Sequence, residues 1–187
     1  ACEHWVQALH LFREMVDSRV ERNVITYTSA VNMCERGQQW EQALQLIREM
    51  ADSRVERNHA TYNSLLQLTH RLEIGNSIFR DAMLSRVLDE SVVIDHRQLD
   101  LHGCSSGTAI LAVRWWWTEV VPVVQAQARS SSFYVVVGWG KHRRARTQTG
   151  ILESVCDELD RMHVPWRQHE PNNPGRLVLN AEQSLES

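Results

Sequence analysis

Two hydrophobic rhythms divide this 187-residue chain. Up to about residue 92, apolar side chains recur every three or four positions, as on one face of a helix. Tyr27, Ala30, Val31 and Cys34 share one such face, and Trp40, Ala43, Leu44, Ile47 and Met50 share the next. Gly37 marks the turn between them, so the pattern predicts a helical hairpin over 24–58. From Ile94 the rhythm shortens. Leu99-Asp100-Leu101-His102 alternates, which points Leu99 and Leu101 into a core and turns Asp100 and His102 out together. Gly103 ends that strand. Ser105 or Ser106 then caps a helix running to about Val121, with Ile110, Val113, Trp116 and Trp117 apolar and Pro122 closing it. Phe133–Val137 is an unbroken β-branched and aromatic run, which predicts a central strand buried on both faces. Gly138-Trp139-Gly140 turns the chain into the basic loop Lys141-His142-Arg143-Arg144-Ala145-Arg146. A second helix opens at Thr147 to Gly150, carries Ile151, Leu152, Val155, Leu159 and Met162 inward, and stops at Pro165. A turn at Pro171–Gly175 precedes a last strand, Leu177–Leu179. The order β-α-β-α-(β)-β predicts a two-layer α/β domain over 93–187.

The helical half repeats itself. Residues 4–23 read HWVQALHLFREMVDSRVERN and residues 39–58 read QWEQALQLIREMADSRVERN, with 15 of 20 positions identical at an offset of 35. A third unit begins at His59, where Thr61-Tyr62 repeats Thr26-Tyr27. Its register then slips: Phe79-Arg80-Asp81 and Ser85-Arg86-Val87 match Ile47-Arg48-Glu49 and Ser53-Arg54-Val55 at an offset of 32, so three residues are missing near Gly75. A hairpin this short buries its apolar face only by stacking on its neighbours, which predicts an α-solenoid over 1–92 with a partial first, a complete second and a degenerate, capping third unit.

The 35-residue period, the TYTS and TYNS helix starts and the ALQLIREM second helix resemble pentatricopeptide repeats rather than the 34-residue tetratricopeptide repeat. That resemblance implies a solenoid that reads single-stranded RNA one base per repeat. In the family, the fifth and last residues of a repeat contact the base edge. Carried onto this chain, these are Thr28 with Asn58, a pair that usually favours adenine, and then Asn63 with either Glu90 or Val93. Asn23 closes the partial first repeat. Thr and Asn are also ordinary residues for helix starts and turns.

The LDLHG stretch at 99–103, the TAILAVRWW helix and GWGKHRR with Thr149-Gly150 resemble the small MutS-related domain, in the version found at the C-terminal end of plant-type organellar pentatricopeptide repeat proteins. Arg143 stands where that branch usually has serine. The resemblance implies endonucleolytic cutting of RNA or nicking of DNA, and a place in the chloroplast or mitochondrion.

Charge narrows the picture further. The net charge is −3, so a nucleic-acid surface must be a local patch. Of 20 cationic side chains 19 are arginine, and the single lysine, Lys141, sits in the densest basic cluster. Apolar residues at 43% and charged residues at 23% suit a globular chain. The longest apolar stretch, Ile110–Val124, is interrupted by Arg114, Thr118 and Glu119 and is too short to span a membrane. Cys2, Cys34, Cys104 and Cys156 form no CxxC pair and read as reduced thiols. The chain starts at Ala1 within a repeat and reads as a piece of a longer protein, so the absence of a targeting peptide carries no information.

Candidate chemistry follows. An Asp and a His side by side at a strand end suit phosphodiester work: His102 as general base, Asp100 orienting it or holding Mg²⁺ or Mn²⁺. Gly138, Trp139, Gly140, Lys141, His142, Arg143, Arg144 and Arg146 suit phosphate contact, because glycines let backbone approach closely and four fixed cations offset phosphate charge. Trp139 could stack on a base. The Trp115-Trp116-Trp117 run points three ways around a helix and reads as packing. His70, His96, His163 and His169 have no ligand-set spacing. Two functions stay open: a sequence-guided endonuclease, or a binding module whose second domain only holds nucleic acid or a protein partner.

Overall fold

The computed structural model describes residues 4–88, 93–95, 97–128, 132–138, 149–168 and 175–181. The chain forms two compact units, Ala1–Ile78 and Phe79–Ser187.

In the first unit, α1 (His4–Asp17), α2 (Val24–Arg36), α3 (Trp40–Asp52) and α4 (His59–Thr69) stack so that α2 packs against α1, α3 and α4. Of the faces read from the sequence, Tyr27, Ala30, Val31, Cys34, Ala43, Ile47 and Met50 are buried, whereas Trp40 and Leu44 are half-buried and Leu46 turns inward instead; Tyr62 and Leu66 seal the equivalent face of α4. The repeat recurs in chemistry as well as in outline. Arg22 lies over the rings of Phe12 and Tyr27, at 4.7 and 5.2 Å, and its counterpart Arg57 lies over Tyr62 at 5.4 Å. Each second helix ends in the same way. The Val55 amide donates to Met50 O and the Arg54 amide to Ala51 O, with Arg54 at φ +55°. Val20 and Arg19 repeat both bonds, as do Val87 and Arg86 after α5 (Ile74–Leu84). This Schellman closure normally takes glycine, so three arginines hold a left-handed conformation that costs about 1 kcal/mol each.

The shortened third repeat has a visible joint. Helices α4 and α5 have 11 residues each where α2 and α3 have 13. The tight connection brings Gly75 against the Thr69 carbonyl; an added Cβ would sit 2.3 Å from that oxygen.

The second unit holds a five-stranded sheet in the order β1-β2-β3-β5-β4: β1 (Val93–Asp95), β2 (Gln98–Asp100), β3 (Ser132–Val136), β4 (Trp166–Gln168) and β5 (Arg176–Asn180). β2 and β3 are parallel, and the other pairs are antiparallel. The parallel pair is joined by α6 (Ser106–Trp115), a π-helical turn (Trp116–Val120) and α7 (Val121–Ala128). Helix α8 (Thr149–Arg161) follows β3 and packs beside α6. Leu99, Leu101, Phe133, Val135, Leu177 and Leu179 are buried, and the ring of Phe133 meets Trp116 edge-on at 5.8 Å. The β-α-β-α-β-β order matches the expected two-layer α/β arrangement, with β1 added at one edge. Val93 lies in that strand, and Glu90 lies outside the described residues.

Two expectations are corrected. Pro122 does not close the first helix, which continues to Ala128. The π-turn explains this: the Val121 amide donates to Trp116 O, five residues back, widening the helix where proline would otherwise clash with a carbonyl. β3 is central but not buried on both faces. Phe133 and Val135 are covered, while Tyr134 and Val136 stay half-buried on the side away from the core.

One buried charge escaped the sequence reading. Glu158 is 2% exposed and takes Arg114 Nε and Nη2 at 2.9 and 2.8 Å and Arg161 Nη1 at 2.5 Å, tying α8 to α6.

Candidate functional site

The first candidate surface lies where α2 and α4 begin. Asn23 and Asn58 are the N-cap residues of these helices. Asn23 Oδ1 accepts from the amides of Ile25 and Thr26, and Thr26 Oγ1 accepts from the Asn23 amide, a closed capping box. Asn58 Oδ1 accepts from the Thr61 amide at 2.9 Å and from Thr61 Oγ1 at 2.8 Å. Thr61 Oγ1 also lies 2.7 Å from Thr28 Oγ1.

Donor bookkeeping orders this chain. Thr61 spends its hydroxyl proton on Asn58, so the proton in the Thr28–Thr61 bond comes from Thr28. An amide N–H only donates, so the Asn58 atom facing Thr61 N is the carbonyl oxygen and Nδ2 turns away. Thr28 Oγ1 therefore keeps acceptor lone pairs, and Asn58 Nδ2 keeps its donors. Thr28 and Asn58, which the resemblance gives as a pair, are thus joined through buried Thr61 into one acceptor–donor set. A cleft of about 410 Å³, lined by residues 21–24 and 55–58, opens between the two equivalent loops. Asn63 sits half-buried as the fifth residue of α4. Thr61 itself was legible only as a repeat marker; its linking role depends on a partner 33 positions away.

The second candidate site is the end of β2. Asp100 and His102 project together, as the alternation predicts, because Leu99 and Leu101 are both drawn into the core. Asp100 Oδ1 accepts from the His102 amide at 2.9 Å and from Nδ1 at 2.6 Å. A carboxylate only accepts, so Nδ1 carries a proton, and in the neutral imidazole the lone pair is then on Nε2. The His102 side chain is 55% exposed and that of Asp100 22%.

Gly138 leaves β3 beside this pair with φ +98°. A Cβ there would meet His102 Nε2 at 3.2 Å and Cδ2 at 3.3 Å. By contrast Gly103, at φ +74°, has open space around it. Gly138, the first residue of the turn, is therefore against Nε2 of the histidine. Trp139, Gly140, Lys141, His142, Arg143, Arg144 and Arg146 lie outside the described residues. Behind the pair, burial and the Asp100 carboxylate push the Cys104 thiol up to about 12, so it is a neutral packing group. Among the described residues no three His, Cys, Asp or Glu side chains gather, so they do not form a protein cage for Mg²⁺ or Mn²⁺. No helix among them is long and apolar enough to cross a membrane.

Residues 10–71 match the pentatricopeptide repeat domain. This span carries pentatricopeptide repeats. The match covers α2, α3 and α4 entire, with most of α1, and so takes in Asn23, Thr28, Asn58 and Asn63. No curated protein matches the chain.

Proposed function

We propose that the chain binds single-stranded RNA through its pentatricopeptide repeats and that the Asp100–His102 pair cuts it. The observation that carries the RNA reading is the acceptor–donor pair of Thr28 and Asn58 on neighbouring helix starts, joined through Thr61. Adenine presents N6–H as donor beside N1 as acceptor, which complements that pair. This agrees with the adenine preference expected for Thr with Asn. The cleft between loops 21–24 and 55–58 supports a base-sized ligand between successive repeats.

The cutting reading rests on His102. Its Nε2 lone pair is set to take the proton of a ribose 2′-hydroxyl. O2′ then bonds to the adjacent phosphorus as the P–O5′ bond breaks, leaving a 2′,3′-cyclic phosphate. The imidazolium, stabilised by Asp100, returns the proton to O5′. The loop that Gly138 opens supplies the cations for the phosphate. The sheet order and the paired LDLHG and GWGKHRR motifs support a small MutS-related domain. In that family setting the protein acts in organellar RNA processing, in the chloroplast or mitochondrion. A second reading keeps the RNA binding and makes the second unit a holder of nucleic acid, DNA included, or of a protein partner; the exposed, ready-made base on His102 favours cutting.

Incubation with end-labelled single-stranded RNA tests both parts. Defined fragments ending in cyclic phosphate are expected, lost in Asp100→Asn and His102→Ala while binding persists. Cutting at the parental rate by both variants overturns the site; an RNA affinity unchanged in Thr28→Ala with Asn58→Ala overturns the base-reading pair.

A further inference from the structure

On the sheet face away from the helices, β5 carries an arginine with an unusual setting. Arg176 pairs in register with Val136, which pairs with Asp100, so the arginine and the aspartate start from one row of the sheet, on the same face. The ends of these strands converge. The Leu101 amide donates to Val136 O and the Val137 amide to Gly175 O, which puts His102, Gly138 and Arg176 at one edge. The guanidinium carbon of Arg176 lies 4.0 Å from the centre of the Tyr134 ring, and Nη2 donates to Gln98 Oε1 at 3.3 Å. Arg176 Nε is buried and has no partner. Among the described residues no carboxylate pairs with this cation.

A half-buried guanidinium that no carboxylate among the described residues neutralises is costly to keep, and ring stacking with one neutral acceptor offsets little of that cost. The same setting suits an anion. Tyr134 holds the plane of the fork, Gln98 fixes one arm, and donors remain for a phosphate, which matches a planar fork bidentately.

We infer that Arg176 is the binding residue for an internucleotide phosphate of the strand whose neighbouring linkage faces His102, with Tyr134 and Gln98 as its positioning residues. This rests on the nuclease reading for what lies at His102, but the anion site is tested by binding.

The test uses the full chain and a single-stranded RNA 12-mer across a salt series. In Arg176→Gln the slope of log affinity against log salt is expected to fall by about 0.7, the value for one single-strand phosphate contact. Affinity should fall several-fold near 0.1 M salt. Arg176→Lys, which keeps the charge and loses the fork, should keep most of the slope and still bind more weakly. An unchanged slope in Arg176→Gln overturns the inference. A second measurement needs no variant: the Arg176 Nε–Hε resonance should move when the dinucleotide UpU is titrated in, and no movement at saturation overturns it. If the parent binds but never cuts, the nuclease reading falls and the phosphate site stands. If cutting persists with an unchanged slope, the reverse holds.

Discussion

Replacing Thr61 by valine isolates the link between Thr28 and Asn58, the proposed base-reading pair. Valine keeps the shape and the backbone amide, so the Thr61 amide still caps Asn58. What disappears is one hydroxyl at 0% exposure that takes part in two hydrogen bonds, of 2.7 and 2.8 Å. Net worth per bond is about 1 kcal/mol. The former partners suffer little, because Thr28 is half-buried and Asn58 is exposed, so water replaces what they lose. The expected destabilisation is therefore about 1–2 kcal/mol, read as a fall in melting temperature of about 4–8 °C per kcal/mol for a unit of this size. Thr69→Val is the matched comparison. Thr69 is equally buried, but its hydroxyl donates to Leu65 O four residues back along its own helix, and its loss should cost clearly less. In RNA binding, Thr61→Val should erode the preference for adenine over the other bases more than it lowers affinity, because Thr28 and Asn58 are freed to turn. Thermal melting of both variants, with binding to oligonucleotides differing at one base, tests this. Equal melting for the two variants, or an undiminished adenine preference in Thr61→Val, refutes the reasoning.

On the proposed nuclease reading, Gly138→Ala should slow RNA cleavage about 10-fold, because a methyl 3.2 Å from His102 Nε2 shifts the ring by a few tenths of an ångström and adds backbone strain at φ +98°, while Gly103→Ala adds only strain at φ +74°; similar losses in the two variants on the same assay would show that the close approach is irrelevant. Glu158→Ala should destabilise the second unit by about 2–3 kcal/mol in urea unfolding, below the usual range for a broken buried pair because Arg114 and Arg161 are partly exposed and rehydrate; Glu158→Gln should recover part of it. Arg54→Gly should raise the melting temperature of the repeat unit, by relieving about 1 kcal/mol of left-handed strain. Burial raises the thiols of Cys34, Cys104 and Cys156 to about 11, 12 and 11, so the folded chain holds these protons more tightly than the unfolded one. Their contribution is present below pH 9 and is lost as pH rises toward 11–12, so stability should fall across that window, and less steeply in a Cys34→Ala, Cys104→Ala variant.

The sequence by itself determined whatever depends on spacing along the chain. Offsets of 35 and then 32 located the repeats, the shortened third unit and the recurring Ser-Arg-Val closure, since a helical face and a Schellman turn are made from residues within six positions of one another. Alternation over Leu99–His102 was enough to pair Asp100 with His102, because side chains two apart on a strand share a face. Tertiary structure decided the rest. Thr61 joins Thr28 to Asn58 only because α2 and α4 stack, and Gly138 guards His102 only because β2 and β3 lie in register. The path of the helix through Pro122, the burial of Glu158 and the seating of Arg176 on Tyr134 depend equally on what packs against them. Local periodicity reports which way a residue faces; the partner it meets there is set by chain closure over tens of residues, which leaves no periodic mark.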